Sequence, residues 1–322
     1  MSAMIETEQP EAMDLADYPR RYCPACNRVV KREFRNGPGG RPDAACPRCG
    51  SLERHRFLAV LLGLLRPTLG DIDVLLEVAP SRQSTPLLAE LGARHHLRTD
   101  LGFDSRLVDA LTDLTRLPHR DGSVDLLVCY HVLEHIPDDR AAMAEIARVL
   151  SPGGVALLQV PWRPGTMTDE DPGAPAEERL ARFGQEDHVR YYGDDFETRL
   201  TDCGLSLRRV TPGELLGERT STWMKLRSDE PVWIAEATGA DATVEVGMDL
   251  ARVTSVWEAL LDELLMQREK EQRLRARVRR LRGEKRRLEA HSESGPSTGA
   301  MGRLRRALRR TPSGSRPSEP GS

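Results

Sequence analysis

Aromatic residues are scarce in this chain: Phe, Trp and Tyr together make up 4% of its 322 positions. Surfaces that stack single-stranded nucleic acid need such rings interleaved with basic residues, and no patch of that kind occurs between residues 71 and 240. Long apolar runs are missing as well. The longest, Phe57 to Leu65, has Gly63 inside it and falls far short of the ~20 residues a membrane-spanning helix needs. No membrane insertion is expected. The N-terminus, with Glu6, Glu8, Glu11 and Asp14, has neither the basic nor the apolar region of a signal peptide, so a cytoplasmic location is expected.

Charge of either sign is abundant but unevenly spread. From Ala251 onward there are 18 basic and 9 acidic residues, so this part carries about +9 and the remainder about −12 of a net −3. An acidic body with a basic tail confines any polyanion contact to the tail.

Alternation of apolar runs with helical patterns organises the middle of the chain. After an acidic stretch over 1–21 that reads as disordered, residues 22–50 are rich in Pro, Gly, Arg and Cys and have little to bury. A connecting helix is predicted within 51–70, N-capped by Ser51 and ended by Pro67. Strands are predicted at Val74–Val78, His95–Thr99, Arg106–Leu111, Asp125–Tyr130 and Val155–Val160, with helices at Pro86–Leu91 and Asp138–Leu150. After a Pro- and acid-rich insertion from Pro161 to Asp187 come a helix (Gly193–Cys203), a strand (Leu205–Val210) and a last strand near Val232–Ala235. That alternation predicts an α/β fold with a doubly wound, mainly parallel sheet over 71–240, closed by an antiparallel edge hairpin joined through a loop. Leu260, Leu264, Gln267, Glu271, Leu274, Val278, Leu281, Lys285 and Leu288 recur at spacings of four and three. This heptad pattern predicts a long C-terminal helix over 250–290 and a coiled-coil homodimer, followed by a flexible basic tail over 291–322.

Four of the six cysteines form two C-x-x-C knuckles, Cys23/Cys26 and Cys46/Cys49, with 19 residues between them. Zinc ribbons separate their knuckles by about 15–20 residues. Four thiolates close a tetrahedral site with no open position, so a structural zinc is expected, supplying folding energy that this polar segment lacks. Arg28, Lys31, Arg32 and Arg35, between the knuckles, keep a nucleic-acid role open.

Acidic residues fall at informative places on the predicted strands. Glu77 lies within the first strand. Asp100 ends the second, where a carboxylate can take both ribose hydroxyls of a nucleoside; Asp113 follows the third, where one can receive an adenine amino group. Ala79, Asp100, Asp113 and Tyr130 would gather at the carboxyl edge of the sheet, where open parallel sheets bind ligands. The runs Asp113-Leu114-Thr115-Arg116-Leu117-Pro118, Asp121-Gly122-Ser123-Val124-Asp125, His131-Val132-Leu133-Glu134-His135-Ile136 and Leu150-Ser151-Pro152-Gly153-Gly154 resemble, in order, the motifs of the class I S-adenosylmethionine-dependent methyltransferase family. More narrowly, the chain is similar to a bacterial group that joins a zinc knuckle and a Ser-Leu-Glu-Arg-His-Arg stretch, here Ser51 to Arg56, to this domain. That group also carries Phe183-Gly184-Gln185-Glu186-Asp187-His188-Val189-Arg190-Tyr191-Tyr192-Gly193. The resemblance spans about residues 22–237 and implies a Rossmann-like seven-stranded methyltransferase sheet. It implies a methyl-donor site at Glu77, Ala79, Ser81, Asp100, Asp113, Leu114 and Tyr130. The chain departs from the family in the turn after the first strand, Val78-Ala79-Pro80-Ser81-Arg82-Gln83, which has no glycine.

Methyl transfer from a sulfonium is an in-line displacement that an enzyme can promote by alignment and desolvation; a base is needed only when the acceptor must lose a proton. His131 and His188 are the candidate catalytic residues. His135, Asp187, Arg190 and Tyr191 are the candidates for holding the acceptor, Arg190 through an anionic group. Glu134 and His135 equally suit bracing of the next helix. The expected acceptor is a small metabolite or a sugar-containing intermediate. RNA, gripped by ribbon and tail, is the second reading, and a non-catalytic adaptor is the third.

Overall fold

The computed structural model describes residues 21–102, 106–238, 270 and 273–287. Two buried apolar runs set the centre of the sheet: β3 (Val74–Val78), following two short ribbon strands, β1 (Arg21–Cys23) and β2 (Arg28–Val30), and β6 (Val124–Tyr130). Between β3 and β6 lie α2 (Thr85–Ala89), β4 (His95–Asp100) and β5 (Ala110–Leu111); α1 (Glu53–Leu65) precedes β3. The chain continues through α3 (Asp139–Val149), β7 (Leu150–Gln159), β8 (Asp169–Glu170), α4 (Ala176–Phe183), β9 (Arg190–Tyr191), α5 (Phe196–Asp202), β10 (Leu205–Val210), α6 (Pro212–Trp223) and β11 (Val232–Ala237).

The main sheet has seven strands in the order β10-β11-β7-β6-β3-β4-β5. β7, β6, β3, β4 and β5 run parallel, while β11 pairs antiparallel with both β7 and β10. This is the seven-stranded, Rossmann-like sheet that the resemblance implies. Its core joins sheet residues such as Leu76, Leu127 and Leu158 to Met143 and Ile146 of α3 and to Phe196 and Trp233 near the antiparallel end.

Three local expectations change. The third strand is shorter, Ala110–Leu111. The fifth strand, expected from Val155, already begins at Leu150: Ser151–Gly154 is an irregular opening of β7, whose pairing with β6 shifts register between Val124 and Leu126. The last two strands are joined by α6, N-capped by Thr211 with Glu214 returning the bond; a helix that starts Pro-Gly and is bent at Gly217 (φ +74°) carries little apolar periodicity. The insertion is also structured, since β8 pairs antiparallel with β9.

Residues 273–287 are helical and exposed, including Leu274, Val278 and Leu281. The expectations for 1–20, for Leu260, Leu264, Gln267, Glu271 and Leu288 and for the tail over 291–322 lie outside the described residues. No helix among the described residues is long and apolar enough to cross a membrane.

Candidate functional site

The ribbon brings its four cysteines together. Cys23, Cys26, Cys46 and Cys49 each offer a sulfur within 4.8 Å of the others, and Cys23 Sγ lies 3.8 Å from Cys49 Sγ. A tetrahedral zinc with Zn–S near 2.3 Å places its sulfurs roughly 3.8 Å apart, so the donor set fits that ion. The buried Ser51 hydroxyl lies 3.3 Å from Cys23 Sγ and 3.1 Å from Cys49 Sγ, where it can donate to a thiolate and orient it. The ribbon is fixed to the sheet domain by Arg56, which is fully buried. Its guanidinium donates to the carbonyls of Ala44 (2.9 Å) and Ser51 (2.6 Å) on one side and of Met224 (3.0 Å) and Lys225 on the other. Tyr22 stacks on Trp223 with ring centres 5.2 Å apart.

At the carboxyl edge of the sheet, register places the predicted donor residues side by side. Val78 pairs with Thr99 on β4 and with Cys129 on β6, so Ala79, Asp100 and Tyr130 follow at one level; Asp100 pairs with Leu111, two residues before Asp113. Ala79 has φ +52°, the left-handed conformation that glycine adopts without cost. The turn is therefore kept although the glycine is absent, and Ala79 N–H donates to Thr99 O at 2.8 Å. A left-handed alanine is strained by about 1 kcal/mol. Ala79→Gly is expected to raise stability by about 0.5–1 kcal/mol in urea unfolding; a lower unfolding midpoint would show that the turn is not strained.

Glu77 is buried and serves this turn from beneath. Its Oε1 accepts from Ser84 Oγ (2.6 Å) and Thr85 Oγ1 (3.1 Å), and its Oε2 lies 3.0 Å from His96 Nε2. Ser81 Oγ accepts from the backbone N–H of Gln83 and Ser84. Glu77 and Ser81 thus shape the loop. Asp113 accepts from the backbone and hydroxyl of Thr115, which hold its carboxyl below the usual range. Leu114 is buried in the core. The Tyr130 hydroxyl is buried without a partner, as is Oε1 of its β7 register mate Gln159; burial pushes the phenol well up.

The loop after β6 opens on His131, also left-handed at φ +57°, and passes through a 3-10 turn, Leu133–His135. The segment from Phe183 to Gly193 lies against it: Val189 N–H donates to Glu134 O at 2.9 Å. This contact brings His188 and His135 together, ring centres 4.6 Å apart and edge to face. Burial lowers the His188 pKa. Asp187 lies at the rim, 70% exposed, with Oδ2 3.4 Å from His135 Nδ1. Gly193 closes the segment because a Cβ there would fall 2.2 Å from Thr166 O.

Arg190 does not take the role expected of it. Its side chain is 1% exposed and donates to the carbonyls of Leu133 (3.0 Å), Ile136 and Pro137 (2.9 Å), with Glu170 3.1 Å from its Nε. Buried and with four of its five N–H donors already engaged, the guanidinium is not presented to an acceptor, so Arg190 braces the loop after β6. Tyr191 is likewise engaged, with Arg163 stacked 4.0 Å over its ring.

Two residues to which the sequence assigned no catalytic or binding role belong to this region. Glu134 is fully buried at the centre of the three histidines. The i, i+3, i+4 spacing of His131, Glu134 and His135 was the available signal, since it puts them on one face of a helical turn. Arg54, on α1, shows no hydrogen bond or ion pair among the described residues and lines a cleft of about 420 Å³ with His55, Ser81, Gln83 and ribbon residues such as Arg35. Its signal in the sequence is the Ser51–Arg56 stretch, which gives no role to any single residue.

Residues 84–158 match the model of a methyltransferase domain. Over 73 residues the chain is 36% identical to a ubiquinone biosynthesis O-methyltransferase of Xanthomonas oryzae pv. oryzae, covering 23% of this chain and 29% of that one. Over 78 residues it is 37% identical to a methyltransferase of Streptomyces halstedii, covering 24% and 27%. The chain thus spans under a third of the length of these curated relatives. Among solved structures it resembles the N-methyltransferase NodS of Bradyrhizobium japonicum in complex with S-adenosyl-L-homocysteine, at 19% identity and a TM-score of 0.35, covering 57% of this chain and 84% of that one. Residues 84–158 belong to the class I S-adenosylmethionine-dependent methyltransferase family.

Proposed function

We propose that the full chain is an S-adenosylmethionine-dependent methyltransferase acting on a small metabolite or a sugar-containing molecule, with a structural zinc in its ribbon. The observation that carries this reading is the carboxyl edge of the sheet. There Ala79, Asp100 and Tyr130 stand at one level, with Asp113 beside them and a histidine cluster on the next loop. Bound S-adenosylmethionine supplies an activated methyl group. Asp100 and Asp113 are suited to its hydroxyl and amino groups, and the left-handed turn at Ala79 lets backbone come close to its amino-acid part. His131, whose Nε2 is buried without a partner, is suited to take a proton from an acceptor. A cleft of about 420 Å³ adjoins the turn after β3, lined there by Ser81 and Gln83 and on its other side by Arg54, His55 and ribbon residues.

Exposed Arg28, Lys31, Arg32 and Arg35 on the ribbon favour RNA as a second reading, which steep salt dependence of binding would support. The apolar line of Leu274, Val278 and Leu281 on the exposed helix supports a homodimer contact.

The test is calorimetric titration of the zinc-loaded protein with S-adenosylhomocysteine, repeated on Asp100→Ala. Hydrogen bonds to a charged group contribute about 1.5–3 kcal/mol, so the substitution is expected to weaken binding roughly 10- to 150-fold. Absence of binding by the folded wild-type protein would sink the methyltransferase reading and leave the adaptor.

A further inference from the structure

The carboxylate of Glu134 is fully buried, and neither of its oxygens has a hydrogen-bond donor. A buried carboxylate left in that state is costly unless a cation accompanies it. Arg54 is the nearby fixed positive charge that senses it, and no ion pair joins the two among the described residues. What surrounds Glu134 instead is imidazole. His188 Nε2 lies 4.0 Å and His131 Nδ1 3.2 Å from Glu134 Oε1, and one ligand atom each from Glu134, His135 and His188 falls within 4.8 Å of the others.

The far sides of two of these rings settle which nitrogen faces inward. His188 Nδ1 is 3.2 Å from the carbonyl oxygen of Phe183, and His135 Nδ1 is 3.2 Å from that of Asp187. A carbonyl only accepts, so each Nδ1 carries the proton, and each Nε2 in the neutral ring presents a lone pair. In His188 that lone pair faces the Glu134 carboxylate, acceptor against acceptor. Backbone carbonyls holding Nδ1–H while Nε2 is left as a donor atom is the outer-shell arrangement of metal-binding histidines. The frame is rigid, because Val189 N–H binds Glu134 O and Arg190 saturates the carbonyls on either side.

We propose that Glu134, His135 and His188 bind a divalent transition metal ion, with further coordination positions open to an oxygen of the acceptor. Two imidazoles and one carboxylate on one side of an ion is a ligand set used by zinc and by non-haem iron, and it leaves positions free. Metal–ligand distances near 2.1 Å require ligand atoms roughly 3.4 Å apart, so these side chains close on the ion by about 1 Å. The site is separate from the ribbon, whose four sulfurs already complete a tetrahedron. Binding stands on these residues alone; the role of the ion rests on the methyl-transfer reading. In that role an acceptor hydroxyl held by the ion becomes more acidic and gives its proton to His131 Nε2. Its oxygen then forms the new O–C bond as the C–S bond of the donor breaks, the electron pair remaining on sulfur.

The full-length protein, loaded with Zn²⁺ and desalted, is expected to retain two metal ions per chain by elemental mass spectrometry, and Glu134→Gln one. A single ion in the wild-type protein overturns the proposal, and so does a second ion retained by Glu134→Gln. Titration of metal-free wild-type protein with Co²⁺ gives a check that needs no variant. The first equivalent is expected to show thiolate charge-transfer bands, and the second only the weak visible bands of a nitrogen–oxygen site. Thiolate bands that account for all bound cobalt would overturn it. S-adenosylhomocysteine titration of the same samples separates the two ideas: donor binding with one ion sinks the metal site alone, and two ions without donor binding sink the methyl-transfer reading alone.

Discussion

Arg56→Met should cost about 4 kcal/mol or more. Arginine is required here because its planar fork reaches four carbonyls at once, those of Ala44, Ser51, Met224 and Lys225. Methionine fills much of the same space and satisfies none of them. A buried acceptor left without its donor costs about 1–3 kcal/mol, and the stacking of the guanidinium 4.8 Å over the Phe34 ring is also lost. Against a total stability of about 5–15 kcal/mol for a domain, such a loss brings the protein close to unfolding. Urea denaturation of wild type and variant measures it directly. A change under about 1 kcal/mol would mean that the ribbon is held by other contacts, with Tyr22 against Trp223 and Lys225 against Asp43 the nearest alternatives.

Removing the zinc proposed for the ribbon should have a still larger local effect. The apolar core of the ribbon, apart from its cysteines, consists of Val30 and Phe34. Burying two such side chains yields about 1.5–3 kcal/mol each, whereas a structural zinc contributes about 10–16 kcal/mol and would be the largest single contribution to the order of 21–50. A strong chelator is therefore expected to expose 21–50 to protease and to amide exchange, and to change Trp223 fluorescence as Tyr22 leaves its ring. The strands from β3 to β11 should keep their protection, since their core is formed by Leu76, Leu127, Leu158 and their neighbours. Unchanged protection of 21–50 after complete metal removal would show that the ribbon folds without an ion.

What could be read beforehand divides along physical lines. Strand alternation, knuckle spacing and the positions of Ala79, Asp100 and Tyr130 depend on local pattern, and the parallel sheet then brings those residues to one level without further information. The convergence of distant backbone carbonyls leaves no mark in local sequence. Arg190 illustrates this: an arginine in a polar segment has the composition of a ligand-binding residue, yet the carbonyls it serves lie 53 to 57 positions earlier in the chain. Arg56 sits within the Ser51–Arg56 motif, but its partners Met224 and Lys225, just past α6, leave no trace there, and α6 itself is hidden behind Pro212, Gly213 and Gly217. Glu134 was visible as part of a motif. Its isolation from every donor is a property of three-dimensional surroundings alone.

The link from Arg56 to Met224 spans 168 positions, and it bears on the order in which the molecule can be made. Synthesis proceeds from the N-terminus at about 5–20 residues per second, so the ribbon leaves the ribosome on the order of ten seconds before α6 exists. During that interval zinc can gather the four thiols, but the Tyr22 face and two arms of the Arg56 guanidinium have nothing to meet. The ribbon is made well before α6 yet is completed only after it, and a nascent chain stalled before residue 225 would present that face to solvent and to chaperones.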